Sequence, residues 1–146
     1  MSSLPTHPRN ASCRSVNDAN FVYFGMSLRP ASGERELALI EYSNRVLDAL
    51  GVVNGPGHME IMFLDAEKQP CLVEVGSRCH GGEGTWQPIA QECVGYDQIS
   101  STLDVYIDPD AFDALPPQPV EMKKFGREVF LVARQHGVCT SLPGVA

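Results

Sequence analysis

Two carboxylates, a guanidinium and a cluster of glycines fall within one stretch, His58 to Gly84 (HMEIMFLDAEKQPCLVEVGSRCHGGEG). His58 to Leu64 and Cys71 to Gly76 are rich in apolar and β-branched residues, and the polar stretch Asp65 to Pro70 between them has the composition of a turn. A hairpin symmetric about Glu67 sets Leu64 against Pro70, Met62 against Leu72, Glu60 against Glu74 and His58 against Gly76. Cross-strand Cβ atoms are about 4.5–5.5 Å apart, and like charges there oppose pairing. At an effective dielectric near 20 the repulsion is on the order of 3 kcal/mol. A hard divalent cation between the two acids turns that repulsion into attraction, and Mg²⁺ takes carboxylate oxygens when it also bridges phosphates.

The same alternation sends Glu74, Gly76 and Arg78 to one side. The planar donor fork of Arg78 suits phosphate or carboxylate. Beyond it, Gly81, Gly82 and Gly84 permit backbone geometries that bring a loop close to a ligand. Three other readings stand beside this one. Acids on a hairpin can simply be solvated, and His58 can be a hydrogen-bonded structural histidine. Cys71, Cys79, His58 and His80 are zinc-ligand types, but their spacing matches no zinc ribbon or finger. Cys79 and His80 are adjacent, so on a strand they point to opposite faces and do not form a nucleophile and its base.

The elements that must position these residues follow from periodicity. Asn20 to Leu28 (NFVYFGMSL) reads as a buried strand interrupted at Gly25. From Glu34 to Leu50 the apolar residues Leu37, Ile40, Leu47 and Leu50 recur at helical spacing, with acids in the first turn and Gly51 as the C-terminal cap. Val52 to Gly57 is a turn-rich connector into the hairpin. Thr85 to Val94 reads as a second helix, with Pro88 tolerated in its first turn and its positive dipole end toward whatever Arg78 binds. Tyr96 to Ile107 gives a third, with Asp97 as N-cap and Ile99, Leu103, Tyr106 and Ile107 as its apolar stripe. Glu128 to Arg134 (EVFLVAR) alternates like a strand. The fold class is therefore α+β, an antiparallel β-sheet with helices packed on one face. Residues 1–20 read as a tail or linker, 21–108 as the main domain, 109–122 as a proline-rich linker, and 123–146 as a strand-containing C-terminal segment.

At 146 residues the chain can build one modest core. A net charge of −7 disfavours nucleic acid and anionic membrane surfaces as partners. No apolar run approaches the roughly 18 residues that span a bilayer, and the polar start (MSSLPTHPRNASCRS) lacks the apolar core of a secretory signal. Five cysteines without CxxC spacing favour reduced thiols, and so a cytoplasmic location, over a disulfide framework.

From the helix Glu34–Leu50 through Glu60, Glu74 and Arg78, the chain resembles the C-terminal half of an ATP-grasp domain. The connector ALGVVNGPGHMEIM and the exit LVEVGSRCHGGEG look most like the carboxylate–amine ligases related to bacterial L-amino-acid ligases. The resemblance implies an ATP-binding fold that activates a carboxylate as an acyl phosphate for attack by an amine, with ATP and Mg²⁺ (or Mn²⁺) as cofactors. It implies metal ligation by Glu60 and Glu74, phosphate or carboxylate stabilisation by Arg78 as the catalytic residue, and cofactor contact by Gly81 and Gly82. Its partners would be small-molecule carboxylates and amines, with self-association or a separate nucleotide-binding half as further expectations. Gly76 stands where many members carry an asparagine. The resemblance covers roughly Phe21 to Asp108 and the strand near Val129, whereas the half that grips adenine would precede residue 20. The expectation is a fragment with weak or absent turnover alone; the alternative is a non-catalytic interaction or structural module derived from the same fold.

Overall fold

A computed structural model of the chain describes residues 13–16, 19–80 and 84–144. The architecture is α+β. The strands are β1 (Cys13–Val16), β2 (Ala19–Tyr23), β3 (Gly25–Ser27), β4 (His58–Leu64), β5 (Gln69–Gly76) and β6 (Arg127–Val129), and the helices are α1 (Glu34–Ala49), α2 (Trp86–Val94), α3 (Gln98–Ile107) and α4 (Pro109–Asp113). The described strands pair in three two-stranded ladders, β1–β2, β3–β6 and β4–β5, rather than in one continuous sheet. No described helix is long and apolar enough to cross a membrane.

The chain divides into two compact units, Met1–Met26 with Glu128–Ala146, and Ser27–Arg127. In the first unit β1 lies antiparallel to β2, with Cys13 opposite Tyr23 and Arg14 opposite Val22, so strand occupies part of the stretch read as a tail. The Phe130 amide donates to the Phe24 carbonyl at 3.0 Å, and the Tyr23 and Phe130 rings meet edge-on at 5.5 Å. Gly25 is required here: its φ is +128°, and a Cβ would collide with the Glu128 carbonyl. Of the strand expected over Glu128–Arg134 only Glu128 and Val129 are laddered, within β6, with Glu128 buried and Val129 64% exposed. Its partner β3 has only three residues, which limits the ladder.

In the second unit α1 begins with Glu34 and Glu36 in its first turn, where the helix dipole favours acids. It ends at Leu50, whose amide donates to the Val46 carbonyl, and the following Gly51 is left-handed at φ +68°. α2 ends at Gly95, φ +96°, for the same reason. Asp97 caps α3 as its sequence position predicts, accepting from the amides of Ile99 at 2.8 Å and Ser100 at 3.1 Å. The proline-rich stretch 109–122 contains a helix: the Asp108 side chain accepts from the Ala111 amide at 3.2 Å, and Pro109 occupies the first helical position, where its missing N–H costs nothing. That stretch is also tied down, since the Ala31 amide donates to Pro119 at 2.7 Å.

Among the described residues the buried apolar side chains are few: Ala31, Ala90 and Cys93. The α3 stripe expected to pack inward is instead largely open to solvent, with Leu103 at 55%, Tyr106 at 80% and Ile107 at 68% exposure.

Candidate functional site

The β4–β5 hairpin pairs Leu64 with Gln69, Phe63 with Pro70, Met62 with Cys71 and Ile61 with Leu72. This is one residue out of step with a hairpin symmetric about Glu67, so the expected pairs Leu64–Pro70 and Met62–Leu72 do not form. A bulge then places Val73 as the extra residue, and from there Glu60 meets Glu74, Met59 meets Val75 and His58 meets Gly76. The expected acid pair therefore stands, by a different route. At the tip, the turn closes through Lys68 in a left-handed conformation, φ +54°.

The bulge also sorts the two faces. Ile61, Phe63, Pro70 and Leu72 are half-buried, whereas Glu60, Met62, Cys71 and Glu74 are exposed. Strict alternation along β5 would have sent Leu72 and Glu74 to the same side. The inner face meets α1: the Leu72 amide donates to the Tyr42 hydroxyl at 3.2 Å, and the Arg35 guanidinium lies 4.6 Å from the Phe63 ring centre while pairing with Asp65 at 3.4 Å. The acids thus sit on the outer, wet face of a hairpin whose other face is held by a helix. Their exposure makes the repulsion small, because at about 5 Å in water-like surroundings two unit charges repel by only about 0.8 kcal/mol. A hairpin can carry that, so the pair is distinguished by its alignment rather than by strain.

Arg78 lies on the same side. Its Cγ and Nε are each 3.7 Å from where a Gly76 Cβ would be, so the guanidinium stem folds across the glycine that faces His58. Its Nη1 donates to the Cys79 carbonyl at 3.2 Å, and among the described residues it forms no ion pair with either acid. Burial first, and then the Arg78 charge, hold His58 below the ordinary histidine range, against the opposing pull of Glu60 and Glu74. The His58 ring therefore lies within the field of Arg78 and of both acids.

The exit of the hairpin is an aromatic stack. The His58 and His80 rings lie parallel within 11° at 4.8 Å, and the Trp86 ring stands edge-on to His80 at 5.4 Å. The first residue of α2 thereby packs against the segment that follows Arg78. Gln98 also joins this region: its Oε1 accepts from the His80 amide at 2.6 Å and its Nε2 donates to the Gly57 carbonyl at 3.0 Å. Neither the stack nor Gln98 is foreshadowed by local sequence, since each joins residues distant along the chain. Cys79 is engaged elsewhere, its sulfur 3.8 Å from the Gln98 carbonyl and 3.6 Å from the Thr102 hydroxyl. Gly81 and Gly82 lie outside the described residues, while Gly84 is left-handed at φ +91°. Among the described residues no three His, Cys, Asp or Glu side chains converge as a metal cage.

Comparison with known proteins gives a partial likeness. Over 74 residues the chain is 35% identical to dapdiamide A synthase of Enterobacter agglomerans, a match covering 51% of this chain and 16% of that protein. The chain thus spans about a sixth of the length of the curated relative it matches. No family model matches the chain, and no solved structure matches it.

Proposed function

We propose that the chain is the magnesium- and phosphate-handling part of an ATP-grasp ligase that joins a carboxylate to an amine through an acyl phosphate, with amino-acid-type substrates. The observation that carries this reading is the alignment of Glu60 with Glu74 on the exposed hairpin face, with Arg78 folded across the neighbouring Gly76. The resemblance of this motif to the ATP-grasp family and the 35% identity to a synthase over half of the chain support it. Glu60 and Glu74 would hold the divalent ion by their carboxylate oxygens. When bound, Mg²⁺ supplies charge neutralisation at the phosphate oxygens. Arg78, as a donor fork with one Nη1 bond to its neighbour's carbonyl, orients the transferring phosphate or the substrate carboxylate. Catalysis of this kind is positioning and electrostatics, so no nucleophilic side chain is needed.

A melting experiment tests the reading. A ligand that binds only the folded form stabilises by about 2.7 kcal/mol at a hundred times its dissociation constant. Mg·ATP should therefore raise the melting midpoint of the chain, and the Glu60→Gln, Glu74→Gln double variant should melt at the same temperature with and without it. A rise that survives the double substitution places the site elsewhere. A second reading, a non-catalytic interaction module, draws on the exposed α3 stripe of Leu103, Tyr106 and Ile107. It predicts no midpoint change with Mg·ATP and a sedimentation coefficient that rises with protein concentration.

A further inference from the structure

We propose that Gln98 is a positioning residue of the acid-pair site, a bridge between the two ends of the hairpin that fixes the direction from which Arg78 addresses the ligand of Glu60 and Glu74. This inference rests on the reading of those two glutamates as metal ligands.

Gly57 is the residue before β4, and His80 lies two residues past Arg78. One amide side chain, at the first position of α3, touches both: it accepts from the His80 N–H at 2.6 Å and donates to the Gly57 carbonyl at 3.0 Å. The partners leave it no freedom to turn over, because an N–H needs the oxygen and a C=O needs the nitrogen. Its own main chain is held as well. Asp97 caps the helix immediately before it, and the Thr102 hydroxyl donates to the Gln98 carbonyl at 2.6 Å, with the Cys79 sulfur at the same oxygen. The bridge is therefore anchored to a helix start rather than to a loop.

Arg78 needs such a support. The ladder ends at Gly76, and the short exit segment turns through an Arg78 amide bond to the Gly76 carbonyl at 3.0 Å. The guanidinium itself is exposed and binds only the next residue's carbonyl among the described residues. The aim of the guanidinium thus follows the backbone of residues 77–80, and the Gln98 bridge ties the far end of that backbone to the start of β4, three residues before Glu60. Truncating the bridge leaves both carboxylates on their ladder, while the exit segment is left with the His58–His80 stack and the Cys79 contacts to hold its distance from them. A positioning role predicts that phosphate affinity falls through Arg78, with the acid pair itself left intact.

A double-mutant cycle on the full chain separates this from a merely structural role. Mg·ATP affinity is measured by titration calorimetry for the wild type, Gln98→Ala, Arg78→Ala, the combined variant, and Glu60→Gln with Glu74→Gln. The expected result is a loss on the order of tenfold in Gln98→Ala, a loss at least as large in Arg78→Ala, and no further loss when the two are combined. Gln98→Met, which keeps the length of the side chain, adds no charge and makes neither hydrogen bond, should match Gln98→Ala, and it provides the measurement if the alanine variant does not fold. Affinity within twofold of the wild type in the Gln98 variants, or losses that multiply with Arg78→Ala, would overturn the positioning role and leave the metal reading standing. Wild-type protein that does not bind Mg·ATP, or binds it equally well without the two glutamates, would overturn both.

Discussion

Replacing Glu74 by Gln should stabilise the protein when no divalent ion is present and remove its response when one is. Glu60 and Glu74 face each other directly on the exposed side of the hairpin. At about 5 Å in a water-like dielectric their repulsion is about 0.8 kcal/mol, and screening at 0.1 M salt trims it to about 0.5 kcal/mol. A unit the size of Ser27–Arg127 shifts its midpoint by about 4–8 °C per kcal/mol, so Glu74→Gln should melt about 3–6 °C above the wild type in chelator at low ionic strength. At 1 M salt the Debye length is about 3 Å and the gain should vanish. Added Mg²⁺ should raise the wild-type midpoint and leave the variant where it was. Glu67→Gln, at the exposed turn, serves as the control and should behave as the wild type in all conditions. The measurement is a set of calorimetric melts across salt and Mg²⁺. A Glu74→Gln protein that melts at or below the wild type in low-salt chelator would refute the premise that the carboxylates confront each other, and with it the case for a shared cation.

Other consequences concern the supports of the site. His58 is held below its ordinary value by burial and Arg78, so the folded state binds the proton less readily than the unfolded chain; the stability from this source is complete above about pH 6.5 and is lost as pH falls through the lower folded value, and His58→Phe should flatten that limb of the midpoint-versus-pH curve. Burial raises the Asp97 pKa, but hydrogen bonds from Ser100 and Gln91 and from the Ser100 and Ile99 amides outweigh it and leave the carboxyl below the ordinary value. Its contribution is therefore present above about pH 4 and lost on further acidification. Asp97→Ala should cost about 1–2 kcal/mol at neutral pH by denaturant titration, as loss of an N-cap does. Tyr42→Phe removes the acceptor for the Leu72 amide next to the bulge and should destabilise by about 1 kcal/mol, with faster amide exchange at Leu72. Lys68→Gly should stabilise by about 1 kcal/mol in the same titration, because glycine takes the left-handed turn position without a side-chain penalty.

What could be read from the chain before its fold was known is mostly local. The bounds of α1 and β4 follow from apolar spacing and from glycine at the ends, and the cap at Asp97 follows from a carboxylate just before a helical run. The acid pair came out of hairpin symmetry, yet the symmetry itself was wrong by one residue at the tip and was restored by the bulge at Val73. Nothing in QPCLVEVG announces a bulge, because its cause is tertiary: it lets Pro70 and Leu72 face α1 while Glu74 stays outside. α4 was hidden for the opposite reason, since Asp108 and Pro109 read as a break when they are a cap and a first helical residue. Gln98 could not be found at all, because its meaning lies in joining Gly57 to His80. The apolar stripe of α3 was legible as a pattern, but pattern alone does not say what covers it.

The spare residue at Val73 gives the hairpin slack. Its tip and its root keep separate phases, so the length and composition of the Asp65–Lys68 turn can drift while the offset is taken up at the bulge. The carboxylates take their alignment from the open end at His58 and Gly76, where Gln98 ties the neighbouring backbone together. Relatives with longer or shorter turns would then keep the same two facing acids, and the tip of this hairpin is free to vary without disturbing the chemistry at its root.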